Sequence, residues 1–181
     1  ISTTLAVVIG TFMALALVRF QFFGRGPLDF FVFLPLATPE VVLGAALLGL
    51  FITMALDTGF LTIVIAHVMF CVSFVVVTVK ARLAGMDRRL EEAAMDLYAN
   101  EWQTFRRITL PLVLPGIVAA ALLAFSLSFD DFIITNFNSG NQVTFPMFVF
   151  GANQRGVPPQ INVIGSIMFF LALFLVLAAQ Y

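Results

Sequence analysis

Long apolar runs broken by short polar segments set the pattern of this chain. Thr3 to Phe20, Phe30 to Leu56, Phe60 to Val79, Leu110 to Phe129 and Ile161 to Ala179 are five such runs, nearly free of charge. A bilayer core about 30 Å thick needs about 20 mostly apolar residues to be crossed by a helix, and each run meets that length. None alternates with the period of two expected of a barrel strand. Backbone groups in lipid must be satisfied within their own segment, which leaves the helix. The pattern therefore predicts an all-α, polytopic transmembrane bundle forming one domain over 1–181, with spans at about 3–20, 30–56, 60–79, 110–129 and 161–179.

The polar exception is Asp87 to Pro111, DRRLEEAAMDLYANEWQTFRRITLP. Asp87 is placed to cap a helix running to Tyr98, with Glu91 and Glu92 in its first turns, where the helix dipole favours anions. Leu90, Ala93, Ala94 and Leu97 fall on one stripe of that helix. Asn100, followed three residues on by Gln103, has the capping-box pattern for a second short helix, edged by Trp102, Phe105 and Ile108. Two amphipathic helices of this kind suit either a lipid surface or a protein partner. Glu91, Glu92, Asp96 and Glu101 make the segment a poor match for an anionic leaflet, which favours the protein.

Composition agrees with the pattern. Apolar residues make up 61% and charged residues 10% of the chain, with a mean hydropathy of +1.07. Soluble domains hold about 45–50% and about 25% respectively, so this is an integral membrane protein. A net charge of −1 says nothing about nucleic acid, but no basic patch interleaved with aromatics appears, and no nucleic-acid partner is expected. The single Cys71 excludes an internal disulfide and a multi-cysteine metal site, and its apolar setting reads as a small buried hydrophobe. The chain opens at Ile1 inside one apolar run and stops just after another, so a piece of a longer polypeptide is expected, and no cleavable signal peptide is seen.

Arg19, Arg25, Lys80, Arg82, Arg88, Arg89, Arg106 and Arg107 fall in one set of loops, and only Arg155 in the opposite set. By the positive-inside rule the segment 87–109 is cytoplasmic, while the loops near Asp57 and from Asn136 to Gln160 face outward. Small residues at Gly44, Ala45, Gly49, Ala119 to Ala121 and Ala124 suit close helix packing.

Glu92-Ala93-Ala94, Asp96-Leu97, Ile108 and Leu110-Pro111 resemble the EAA loop of binding-protein-dependent ABC importer permeases. The resemblance implies that Glu92, Ala93, Ala94, Asp96, Leu97, Tyr98, Trp102 and Phe105 form coupling helices docking on an ATP-binding subunit. This sequence has Tyr98 where that family usually has a bend-forming Gly, so Tyr98 must accept the bend or pass it to Ala99–Asn100. Ser126 to Phe132, Thr135, Asn138-Ser139-Gly140, Arg155-Gly156-Val157, Pro158-Pro159 and Ile161-Asn162 are similar to the spermidine/putrescine permeases in particular. Six spans are usual there, and the runs here match the last five, so the first family span is expected to be missing.

From the resemblance follow a bacterial inner-membrane location and alternating access driven by two ABC ATPase subunits. A second permease subunit and a periplasmic or lipid-anchored substrate-binding protein complete the expected assembly. ATP and Mg would be bound by the ATPase, with no cofactor, metal or catalytic residue in this chain. The alternatives are a permease of the same family for another small substrate, or an ion-coupled secondary transporter using Glu40, His67, Asp130 or Asp131; the latter calls for inverted repeats, and none is visible.

Carboxylates near membrane depth are the candidate chemistry. Glu40 follows Pro35 and Pro39, which should kink or break the second run, so it faces a watery interior or starts a helix at the interface. Asp130 and Asp131 close the fourth run, where carboxylates oppose the helix dipole. With Phe129 and Phe132 they are candidates for lining the outer mouth, attracting a polycation and adding cation–π contact. His67 reads as an interhelical hydrogen-bonding residue. Thr144 to Gly156 is expected to hold a short helix that, with Arg155, meets the binding protein.

Overall fold

The computed structural model describes residues 1–154, 156 and 159–178, and every regular element among them is helical. In order these are α1 (Ser2–Arg19), α2 (Arg25–Ala37), α3 (Glu40–Thr53), α4 (Phe60–Ala84), α5 (Arg89–Asp96) and α6 (Glu101–Thr104). A π-helical turn, Phe105–Thr109, runs directly into α7 (Leu110–Asp130), followed by α8 (Ile133–Asn138), α9 (Phe145–Asn153) and α10 (Pro159–Ala178).

Ser2–Arg19, Phe60–Ala84 and Glu101–Asp130 are each long and apolar enough to cross a membrane. The expected second span, 30–56, is not one helix. The chain leaves α2 after Ala37 and starts α3 at Glu40, and the two pass the same test only as one broken span. Pro39 is the cause: it has no N–H to donate and its ring pushes the preceding residue out of the helical region. Thr38 is accordingly extended, at φ −91° and ψ 130°. Pro35 is accommodated inside α2. The third run continues past Val79 to Ala84, and α10, Pro159–Ala178, occupies the fifth run.

The chain forms two compact units, one of Ile1–Pro39 with His67–Ser128, the other of Glu40–Ala66 with the segment from Phe129 onward. In the first unit, α1 buries Ala6, Gly10, Ala14 and Leu17, a one-sided stripe of mostly small residues. A methyl group on Gly10 would lie 2.7 Å from Val75 Cγ1, so α1 rests almost directly on α4. Gly116 brings α7 onto α4 in the same way, with its absent Cβ 2.8 Å from Arg82 Cβ. Small residues allow such approach where lipid offers no hydrophobic drive between helices. Buried Ala120 and Ala124 extend the α7 contact, and the Cys71 thiol lies 3.6 Å from the Ala124 carbonyl. His67 Nδ1 meets Ser128 Oγ at 2.7 Å, the interhelical bond its sequence context suggested.

In the second unit, α3 lays Leu43, Leu47 and Phe51 against α8. Gly44 fits under Phe137 and the Ile134 backbone, whereas Gly49 faces open space and Ala45 is exposed. Of these three α3 residues only Gly44 is thus a packing residue. Buried Asn138 donates to the carbonyls of Gly44 and Ile134 at 3.3 and 2.8 Å, and the Thr62 hydroxyl donates to the Asn138 carbonyl at 2.8 Å. These bonds satisfy backbone groups around the broken helices, where water would otherwise be needed.

Candidate functional site

The polar segment 87–109 folds as paired short helices. Asp87 Oδ1 accepts from the Arg89 N–H at 3.0 Å, and α5 then runs to Asp96, two residues short of the expected end. The Ala99 N–H reaches back to the Ala94 carbonyl and the Tyr98 N–H to Met95. This is the Schellman ending, with Tyr98 at the left-handed position normally given to glycine. Tyr98 does adopt it, at φ 62°. Of the two routes open to the bend, the chain takes the strained one.

Asn100 then caps α6 reciprocally: its side chain accepts from the Gln103 N–H at 2.8 Å, and Gln103 accepts from the Asn100 N–H at 3.2 Å. Trp102 stacks on Phe105 with ring centroids 5.7 Å apart. The π turn from Phe105 carries Arg106 and Arg107 outward and buries Thr109 before α7 begins.

The apolar stripe of α5 is not consumed within the chain. Leu97 is 82% exposed, Tyr98 98% and Trp102 66%, and Leu90 and Ala93 are exposed as well. Glu92 and Asp96 also point away from the bundle, while Ala94 and Phe105 are half-buried. A tight bend therefore presents large apolar side chains beside carboxylates.

Glu91 behaves differently from its neighbour. Its Oε1 accepts from Arg19 at 2.9 Å and from the Thr109 hydroxyl at 2.6 Å. Neither contact has a local sequence signal, since Arg19 lies 72 residues away.

The second cluster lies at the end of α7. Asp131 is buried and spent on structure: its carboxylate accepts from the Ile134 and Thr135 N–H groups at 3.3 and 2.7 Å and from the Thr135 hydroxyl at 2.7 Å. It holds the start of α8, where negative charge is favoured. Asp130 is exposed. With Phe129, Phe132, Phe145, Pro146, Val149, Phe150 and Asn153 it lines an open cleft of 450 Å³. Phe129 stacks on Phe145 with centroids 5.7 Å apart, and Phe132 meets Phe150 in a tilted pair at 4.5 Å. The sequence reading missed Phe145, Phe150 and Asn153, which reach the cleft from α9, the short helix that starts after Thr144 as expected. Glu40 is not among the described residues lining the cleft; it sits exposed in the first turn of α3. Arg155, the candidate docking residue, lies outside the described residues.

A helical membrane protein whose polar insertion forms an exposed helix pair defines the class, and known folds agree. A chain of the MetNI methionine ABC transporter, solved in an inward-facing conformation, superposes with a TM-score of 0.76 at 18% identity, covering 99% of this chain and 86% of that one. A chain of a bacterial ABC transporter that imports the acidic polysaccharide alginate gives 0.65 at 16% identity, covering 99% and 75%. The fold is that of type I ABC importer membrane subunits.

Residues 6–180 match the family model of the binding-protein-dependent transport system inner membrane component, and the chain belongs to that family. It is a multi-pass protein of the inner membrane. Among its relatives, the spermidine/putrescine transport system permease protein PotC of Haemophilus influenzae is 38% identical over 99% of this chain and 70% of its own length. The putrescine transport system permease protein PotI of Escherichia coli K12 is 43% identical over 92% of this chain, which spans 62% of it. PotC of the same strain is 37% identical over 99% of this chain and 68% of its own length.

Proposed function

We propose that this chain is the permease subunit of an ATP-driven importer that moves polyamines into the cytoplasm by alternating access. The observation that carries the reading is the 37–43% identity to relatives named as spermidine/putrescine and putrescine permeases, sustained over 92–99% of the chain. The cleft of Phe129, Asp130, Phe132, Phe145, Phe150 and Asn153 supports it. A polyamine is a chain of ammonium groups joined by short aliphatic links. Aromatic faces hold both parts, the links by contact and the cations by the ring quadrupole, while a carboxylate supplies the countercharge.

In this reading the loop from Asp87 to Thr109 lies in the cytoplasm and its Leu97, Tyr98 and Trp102 enter a recess of an ATPase subunit. ATP is bound and hydrolysed in that partner, and closure of its dimer drives the helices between two discrete arrangements. A second permease subunit completes the pore and a binding protein delivers substrate from outside.

The test is uptake of labelled putrescine and spermidine into vesicles holding the full assembly. Accumulation that requires internal ATP and loaded binding protein is expected. Uptake driven by a proton gradient alone, or none with either energy source, refutes the reading.

A further inference from the structure

α1 is remote in the chain from the segment 87–109, with α2, α3 and α4 lying between them. Yet the end of α1 is stitched to that segment at several points. Arg19, the last residue of α1, donates to Glu91 in the first turn of α5 at 2.9 Å, with its Nη2 also 4.0 Å from Met86 Sδ. Arg88 donates to the Val18 carbonyl at 3.0 Å, one of the carbonyls a helix end leaves without an internal partner. Thr109, the final residue of the π turn, donates to the same Glu91 oxygen at 2.6 Å. One carboxylate atom thus holds α1, α5 and the entry to α7.

The charges are also set where the backbone favours them. Arg19 stands at the negative end of α1 and Glu91 at the positive end of α5, so two helix dipoles meet through the pair. Their side chains are only 13% and 17% exposed, so solvent screens the interaction much less than it would a surface pair. Loss of either partner leaves the other charge poorly solvated and unpaired.

We infer that Arg19, Glu91 and Thr109 form a latch that makes α1 part of the body moved by the coupling loop. Force arriving on α5 reaches α7 through the continuous helix from Glu101 to Asp130; it reaches α1 through Glu91. Glu91 is a positioning residue, distinct from Glu92, which faces outward. The inference rests on the ATP-driven reading for its transport consequence, but the latch itself has a readout that does not.

The experiment uses the complete transporter in vesicles with Arg19→Gln, Glu91→Gln, Thr109→Val and the exchanged pair Arg19→Glu/Glu91→Arg. The single charge variants are expected to co-purify with the ATPase while polyamine taken up per ATP hydrolysed falls about fivefold to tenfold, within the usual range of coupling between sites. The exchanged pair recovers part of that loss, since the ion pair returns against unfavourable dipoles. In parallel, amide exchange in the last turn of α1, Ala16 to Arg19, quickens in the single variants and slows again in the exchanged pair. This arm needs no transport, so a wild-type assembly without ATP-driven uptake would refute the proposed function while exchange still judged the latch. If the charge variants fail to assemble, Thr109→Val, which removes one hydroxyl and no charge, decides by the same two measurements. Wild-type coupling and wild-type exchange in the assembled variants, or an exchanged pair no better than either single change, overturns the inference.

Discussion

Tyr98 spends conformational energy for no gain visible inside its own chain. A non-glycine residue in the left-handed region costs roughly 1–2 kcal/mol, and its ring is almost wholly exposed. Strain of this kind persists when something other than stability selects the residue. Tyr98→Gly is therefore expected to relieve the bend and protect α5 amides by about 1 kcal/mol in hydrogen exchange. The same variant should bind the ATPase more weakly in a pull-down, because the exposed ring is lost. Tighter binding would show that the bend alone matters. At this scale Asp131 and Asp130, adjacent in sequence, also separate: the first caps α8 and the second faces the cleft.

Between elements, the closest contacts depend on missing atoms. Gly10→Leu would push a side chain into Val75 at a point where even a Cβ sits 2.7 Å away. Overpacking of this kind costs about 1–3 kcal/mol, so α1 should detach from α4 and the melting temperature of the detergent-solubilised protein should drop. Gly49→Leu, on the open face of α3, serves as the contrast and should leave that temperature unchanged. The helix pair α5–α6 makes a different prediction. Glu92→Arg reverses an outward charge without touching the Glu91 contacts, so the spans should insert normally while ATP use and uptake come apart. Wild-type uptake together with wild-type ATPase binding would remove Glu92 from the coupling surface.

For the molecule as a whole, the cleft at the end of α7 gives the most direct probe of substrate class. Asp130→Asn should lower the polyamine uptake rate about fivefold at saturating loaded binding protein, the effect of losing about 1 kcal/mol of charge attraction. Joint neutralisation of Asp130 and Asp131 would be a poorer test, since Asp131 carries the first turn of α8. Phe132→Leu keeps the volume apolar but removes the quadrupole, and should affect spermidine more than an uncharged substrate of similar length. Equal rates for wild type and Asp130→Asn would take the carboxylate out of the pathway.

Membrane insertion, helical class and the exposed polar helix pair were legible in the sequence because each is a one-dimensional property. Apolar length decides insertion, the capping residues at Asn100 and Gln103 decide a local turn, and charge density marks Asp87–Pro111 against an apolar background. The break at Thr38–Pro39 was half legible: proline announces a kink, but of the two prolines Pro35 is accommodated inside α2 and Pro39 ends the helix. The tertiary structure alone decided which of two neighbouring glutamates faces inward, which glycines are contact points, and which aromatic rings gather around Asp130. Those outcomes depend on partners from other elements of the chain, such as Arg19 for Glu91, Val75 for Gly10 and Phe145 for Phe129. Periodicity fixes the face a side chain occupies on its own helix, and the identity of what lies across from that face is settled only when the helices pack.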